Sequence, residues 1–156
     1  MQYTCVSCVE HMTGNYVEQI IKSCDMAFKN PVMDKKNKNE LIGKIANNAI
    51  ILFAHNDNIL AYVAFYANDK NSKQAYISLI AVKPDQQNSG IGTNLINECA
   101  NISRKYGMKK LALKVDKDNE KAMKFYKSNG FMICGEDNET EQYLMKRDIQ
   151  MEEHLF

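Results

Sequence analysis

One short loop constrains this chain more than any other feature of its sequence. The run Ile77–Val82 is apolar and typical of a strand, Pro84 ends it, and a polar stretch then leads to Gly90-Ile91-Gly92. A helical pattern opens at Thr93. Glycines allow a close backbone approach, and the start of a helix favours an anion. The sequence therefore predicts a phosphate-binding turn between a strand and a helix.

Spacing excludes the two commonest phosphate motifs at this loop. A dinucleotide fingerprint needs a third glycine where this chain has Leu95. A Walker A loop needs a lysine after its last glycine, whereas Gly92 is followed by Thr93. What remains is the pattern Gln-x-x-Gly-x-Gly, which runs from Gln87 to Gly92.

A second segment, Asp118–Phe131, contains the pattern Asn-x-x-Ala-x-x-Phe-Tyr-x-x-x-Gly-Phe. Its fixed positions are Asn119, Ala122, Phe125, Tyr126, Gly130 and Phe131. The two patterns, in this order and at this separation, resemble the signatures of the GNAT acetyltransferase superfamily. The specific resemblance covers residues 77–131, and the flanking segments fit the fold without a sharp motif.

The resemblance implies an α+β fold (α/β in the broader sense) with a central mixed, mostly antiparallel β-sheet and helices on both faces. Apolar periodicity and turn residues give the order β-α-α-β-β-β-α-β-α-β-β, which agrees with that fold. At 156 residues the chain is expected to be a single domain over residues 1–156, with a core of about residues 3–147 and a tail at 148–156.

The resemblance also implies acetyl-CoA as the acyl donor. The residues expected to contact it are Ile80, Ala81, Val82, Gln87, Asn88, Ser89, Gly90, Ile91, Gly92 and Asn119. By resemblance, the backbone of Ile80–Val82 bonds to the pantetheine arm. The alternatives are an ordinary tight turn at the glycines, a merely buried strand, and an N-cap at Asn119.

Tyr126 stands where the family usually has its general acid. A phenol with a pKa near ~10 can protonate the departing CoA thiolate. The alternative is a tyrosine that packs in the core beside Phe125.

The general base is not identified by the sequence. Some family members carry a glutamate where this chain has Lys114, and others carry one where it has Tyr76. Without either carboxylate, the amine proton goes to water or to one of four side chains: Tyr66, Asp69, Tyr76 or Asp116.

Composition excludes several other classes of function. A net charge of +1 does not indicate a nucleic-acid or membrane partner, and with no export signal visible we expect a cytoplasmic protein. Five cysteines are expected to be reduced. Cys5 and Cys8 have metal or redox spacing, but no second pair completes a zinc site, so no metal is expected.

These observations predict an N-acetyltransferase that acts on a small-molecule primary amine, such as an amino sugar or a polyamine, by direct attack in a ternary complex. The acceptor site is expected within residues 24–45. Two alternatives stay open: a protein or peptide N-acetyltransferase, and a catalytically silent acyl-CoA-binding module. The chain is expected to be a monomer or a homodimer.

Overall fold

The computed structural model describes residues 1–7 and 12–149, which form two compact units. Of the described residues, the first unit contains those within 1–66 and 78–99, and the second contains 67–77 and 100–149. One strand and one helix contribute residues to both units.

The elements follow the predicted order. The strands are β1 (Gln2–Ser7), β2 (Ile50–His55), β3 (Ile59–Tyr66), β4 (Gln74–Val82), β5 (Lys110–Asp116), β6 (Met132–Asp137) and β7 (Gln142–Asp148). The helices are α1 (Gly14–Ser23), α2 (Lys38–Asn48), α3 (Ile91–Lys105) and α4 (Glu120–Ser128). Short 3₁₀ turns at Asp25–Ala27 and Val32–Asp34 lie between α1 and α2.

The strands form a seven-stranded sheet in the order β1-β2-β3-β4-β5-β7-β6. The pairs β1–β2, β2–β3, β5–β7 and β6–β7 are antiparallel, whereas β4 and β5 are parallel. The mixed, mostly antiparallel sheet predicted from the sequence is therefore confirmed. A parallel pair needs a crossover connection, and α3 provides it.

In the first unit, α1 and α2 bury their apolar stripes against one face of the sheet. Val17, Ile20 and Ile21 recur at helical spacing and join Leu79 and Ala81 of β4 in one core cluster. On β1, Val6 packs against this cluster. Because strand side chains alternate, Tyr3 points to the opposite face, where its hydroxyl oxygen accepts a 3.3 Å hydrogen bond from Asn94 of α3.

In the second unit, β5 is the central strand. Its residues Leu111, Ala112, Leu113 and Val115 are buried, whereas Lys110, Lys114 and Asp116 are exposed. The hairpin β6–β7 pairs with β5 along the full length of β7. No helix within residues 1–7 and 12–149 is long and apolar enough to cross a membrane.

Candidate active site

Two side chains of the Gln87–Gly92 loop bond to residues that precede the loop. Gln87 Nε2 donates a 3.0 Å hydrogen bond to the carbonyl oxygen of Val82, the last residue of β4. Ser89 Oγ donates to the carbonyl of Gln86 in the preceding 3₁₀ turn. These bonds fix the path of the loop between the strand and α3.

The same loop has two residues with left-handed backbone just before α3. Asn88 and Gly90 have left-handed backbones, with φ of 63° and 88°. Alternation of left- and right-handed residues makes successive N–H groups converge on a concave site for an anion. The first helical bond runs from Asn94 N–H to the Gly90 carbonyl at 3.0 Å, so the N–H groups before it have no acceptor inside the helix. This geometry supports the predicted phosphate site.

Strand β4 leads into this loop with alternating side chains. Ala81 is buried in the core with α1 and α2, whereas Ile80 and Val82 lie half-buried on the other face. The parallel ladder to β5 joins Gln74–Tyr76 to Lys110–Ala112. Ile80–Val82 therefore lie beyond the residues of that ladder, as expected for a strand whose backbone is to bond a ligand.

Tyr126 belongs to α4 in the second unit, where its ring is held between two phenylalanines. The ring centroid lies 5.6 Å from that of Phe125 and 5.8 Å from that of Phe131 in an edge-on contact. The side chain is partly buried, and desolvation by this burial raises the pKa of Tyr126 to about 12. The phenol therefore stays protonated far above neutral pH. This pKa is higher than the sequence-based expectation because the apolar contacts disfavour the phenolate.

Asn119 is the N-cap of α4. Its Oδ1 accepts a 3.1 Å hydrogen bond from the Ala122 N–H. A contact between Asn119 and the cofactor stays a prediction.

Three of the four candidate bases have structural partners. Asp69 is exposed in a turn, where its Oδ1 accepts hydrogen bonds from the N–H groups of Asn71 and Ser72. Hydrogen bonding, chiefly with Ser72, lowers the pKa of Asp69. The ring of Tyr66 lies 5.3 Å from Lys44 Nζ, in a cation–π contact. Asp116 Oδ1 accepts a 3.1 Å bond from Gln142 Nε2.

The fourth candidate, Tyr76, shares a polar cluster with Lys114. Burial raises the pKa of the half-buried Tyr76 phenol, and the nearby Lys114 ammonium partly opposes that rise. Lys114 Nζ in turn donates a 3.0 Å bond to Asp137 Oδ2 of β6, which raises the pKa of Lys114 and lowers that of Asp137. Sequence reasoning missed Asp137, because nothing in its polar turn indicates that it faces a residue 23 positions earlier.

The cysteines do not gather at a site in the described part of the chain. Cys24 and Cys99 are buried, and Cys5 and Cys134 are exposed. Burial chiefly raises the pKa of the Cys24 thiol. Among residues 1–7 and 12–149, no three His, Cys, Asp or Glu side chains lie close enough to hold a metal ion. Cys8, the second member of the predicted pair, lies outside the described residues.

A search of protein-family models matches residues 16–131 to the acetyltransferase (GNAT) family. This range covers more than half of the chain and contains both motifs. A spermidine N(1)-acetyltransferase of Thermoplasma acidophilum is 27% identical over 142 residues, which are 88% of this chain and 81% of that protein.

Solved structures share the fold over nearly the whole chain. An aminoglycoside 6′-N-acetyltransferase complexed with coenzyme A has a TM-score of 0.76 and 12% identity over 97% of this chain and 99% of its own. The ribosomal-protein-S18-alanine N-acetyltransferase from Escherichia coli has a TM-score of 0.70 and 19% identity over 99% of each chain. At such identities these likenesses establish the fold alone.

Proposed function

The chain belongs to the GNAT family of acetyltransferases, and we propose that it transfers an acetyl group from acetyl-CoA to the primary amine of a small molecule, such as an amino sugar or a polyamine. The reaction is a direct attack within a ternary complex. The observation that carries the proposal is the braced loop of residues 87–92, which leads into the start of α3, where the first N–H groups have no acceptor inside the helix. The similarity to a spermidine acetyltransferase supports a small-molecule acceptor.

Each part of the reaction has a residue suited to it. The N–H groups of the loop and the dipole of the 15-residue helix α3 suit the pyrophosphate of acetyl-CoA. The neutral amine nitrogen bonds to the thioester carbonyl carbon, the carbon–sulfur bond breaks, and the sulfur leaves with its electron pair. Tyr126 O–H then donates a proton to the thiolate, and the amine gives up its own proton to water.

An acceptor screen tests this proposal. The full chain is incubated with acetyl-CoA and with three panels: amino sugars, polyamines, and peptides with free N-termini or lysines. Release of free CoA thiol is followed, and the acetylated product is identified by mass. We expect release with at least one small amine, well above the rate of acetyl-CoA hydrolysis without acceptor.

Two results would overturn the proposal in different ways. Faster turnover of peptides than of every small amine would make the protein a peptide N-acetyltransferase. Binding of acetyl-CoA without thiol release on any amine would make it a silent binding module.

A further inference from the structure

We propose that Phe131 is a positioning residue for Tyr126: the turn that ends α4 brings the Phe131 ring against the Tyr126 ring and so fixes the direction in which the phenol donates its proton. This inference rests on the proposed acetyl transfer and on Tyr126 as its general acid. Both residues, and the turn that joins them, belong to the second unit.

Helix α4 ends in a Schellman motif, a turn in which two backbone hydrogen bonds run back across a left-handed residue. Gly130 N–H donates a 3.1 Å bond to the Lys127 carbonyl, and Phe131 N–H donates a 3.0 Å bond to the Tyr126 carbonyl. Gly130 has the left-handed backbone that this motif requires, with φ of 88°. The turn therefore ties the backbone of Phe131 directly to that of Tyr126.

The same motif brings the two side chains together. A Schellman motif commonly includes an apolar contact between the residue after the glycine and the residue whose carbonyl accepts its N–H bond. Here these residues are Phe131 and Tyr126, and their ring centroids lie 5.8 Å apart in an edge-on contact. Such a geometry is favourable for two aromatic rings. The spacing Tyr-x-x-x-Gly-Phe in the sequence is thus the spacing at which this contact forms.

Phe131 is the more deeply buried of the two residues. It is only 2% exposed, and close packing leaves a buried ring little room to turn. Tyr126 is only partly buried on α4. The Phe131 ring is therefore the fixed surface against which the Tyr126 ring packs.

The orientation of the Tyr126 ring depends on packing and not on a bond at its oxygen. In the part of the chain that the structure describes, no residue forms a hydrogen bond with the Tyr126 hydroxyl. Phe125 also contacts the ring, but it is the preceding residue of the same helix and moves with it. Phe131 lies beyond the end of α4. Its loss should misplace the phenol, and a small misplacement of a reacting group can slow a reaction many-fold.

The contact also affects the protonation of the phenol. Burial raises the pKa of Tyr126 to about 12, because apolar surroundings disfavour the phenolate. Removal of the Phe131 ring should admit water beside the phenol and lower this pKa toward the ordinary value of a tyrosine, near ~10. The pKa of Tyr126 is therefore a readout that needs no substrate.

Phe131→Leu tests the inference, because leucine keeps the position apolar and removes the ring. We expect kcat to fall about tenfold and KM for acetyl-CoA to stay within about twofold of wild type. At about pH 10.5 the Tyr126 phenol should be largely ionised in the variant and hardly ionised in the wild type. The tyrosinate absorbance of each protein, less that of the same protein with Tyr126→Phe, reports on Tyr126 alone.

Gly130→Ala is a second variant, which keeps the inference testable if Phe131→Leu does not fold. Gly130 and Gly107 follow helices with φ of +88° and +85°, so alanine should cost similar strain at each position. Gly130→Ala disturbs the turn that holds Phe131 and should lower kcat at least about fivefold. Gly107→Ala is the matched control and should leave kcat within about twofold of wild type.

A double variant distinguishes positioning from general damage to the fold. In Tyr126→Phe no phenolic proton remains, so the addition of Phe131→Leu should lower kcat by no more than about twofold. A tenfold loss repeated in that background would show that Phe131 does not act through Tyr126, and would overturn the inference. A normal kcat in both Phe131→Leu and Gly130→Ala would overturn it as well.

Failure of the proposed function would give a different result. If the wild-type protein releases no thiol with any amine, acetyl transfer is wrong and the inference fails with it. If the wild-type protein is active and Tyr126→Phe is equally active, acetyl transfer stands and only the positioning role of Phe131 is overturned.

Discussion

The side chain of Gln87 bonds back to the strand that precedes it: Nε2 donates a 3.0 Å hydrogen bond to the carbonyl oxygen of Val82. This bond joins the last residue of β4 to the first residue of the Gln-x-x-Gly-x-Gly motif. The glutamine of the motif thereby braces the loop that leads into α3. A residue expected from the sequence to contact the cofactor therefore also has a bracing role inside the protein.

Removal of the Gln87–Val82 hydrogen bond should weaken the binding of acetyl-CoA more than it slows the chemical step. In Gln87→Ala we expect KM for acetyl-CoA to rise several-fold and kcat to stay within about twofold, because the loop loses order while Tyr126 is untouched. Stability should fall by about 1 kcal/mol, the usual worth of one hydrogen bond. Steady-state kinetics and urea unfolding measure these effects. Gln86→Ala is the control, since only backbone bonds of Gln86 stabilise the turn; equal effects in both variants would contradict the bracing role.

Two glycines allow the phosphate site to be tested apart from backbone strain. Gly90 and Gly107 lie before and after α3 with φ of +88° and +85°, and an added Cβ would meet nothing within 4 Å at either position. Glutamate should therefore cost similar strain at both. Gly90→Glu also places a carboxylate at the anion site and should weaken acetyl-CoA binding by at least about 2 kcal/mol, the scale of lost charge-assisted hydrogen bonds.

Calorimetry on the two folded variants gives the comparison. Gly107→Glu should bind acetyl-CoA as the wild type does. If both variants, or neither, lose affinity, the loop is not the pyrophosphate site.

Tyr126→Phe keeps the ring between Phe125 and Phe131 and removes only the acidic proton. We expect kcat to fall by roughly 10²–10⁴, the usual worth of a general acid, whereas acetyl-CoA affinity and melting temperature should hardly change. Pre-steady-state kinetics should first establish that chemistry limits turnover. A kcat within about threefold of wild type would then exclude the acid role.

Removal of the Asp25 carboxylate should cause a large loss of stability, whereas removal of the Asp69 carboxylate should cause a small one. Each carboxylate accepts two backbone N–H bonds: Asp25 from Val32 and Met33 at 2.9 Å each, and Asp69 from Asn71 and Ser72 at 3.1 Å each. Asp25 is only 9% exposed, so its removal leaves buried donors without water. Asp25→Ala should cost about 2–4 kcal/mol and Asp69→Ala about 1 kcal/mol or less.

Urea unfolding of the two alanine variants measures this difference. Asp25→Asn keeps one acceptor oxygen and should lie between Asp25→Ala and the wild type. Equal losses at Asp25 and Asp69 would show that burial of the α1–α2 connection is not what makes Asp25 important.

Local signals in the sequence account for the elements that were predicted correctly. Ala75, Ile77, Leu79 and Ala81 alternate with half-buried residues along β4, and such a period of two is readable without any partner strand. The loop after β4 could be predicted as well, because Gly90 has a left-handed backbone, which most other residues adopt only with strain.

The ends of helices were less predictable where hydrogen bonds outside the helix determined them. The periodicity of α1 continues toward Phe28, but the helix ends at Ser23 and the chain enters the 3₁₀ turn Asp25–Ala27. The Asp25 carboxylate accepts hydrogen bonds from the N–H groups of Val32 and Met33, which lie beyond that turn. This contact between distant residues outweighs the local helical preference.

By itself the sequence determined the family, the element order, the glycine-bearing loop between β4 and α3 and the position of Tyr126, because each depends on residues adjacent in the chain. Only the tertiary structure decided which polar groups meet: Gln87 with Val82, Asp25 with Val32, and Lys114 with Asp137. Such pairs depend on strand register and on burial, which many residues set together. Burial also raises the pKa of Tyr126 to about 12. This shift comes from the side chains around the ring, so the motif alone does not predict it.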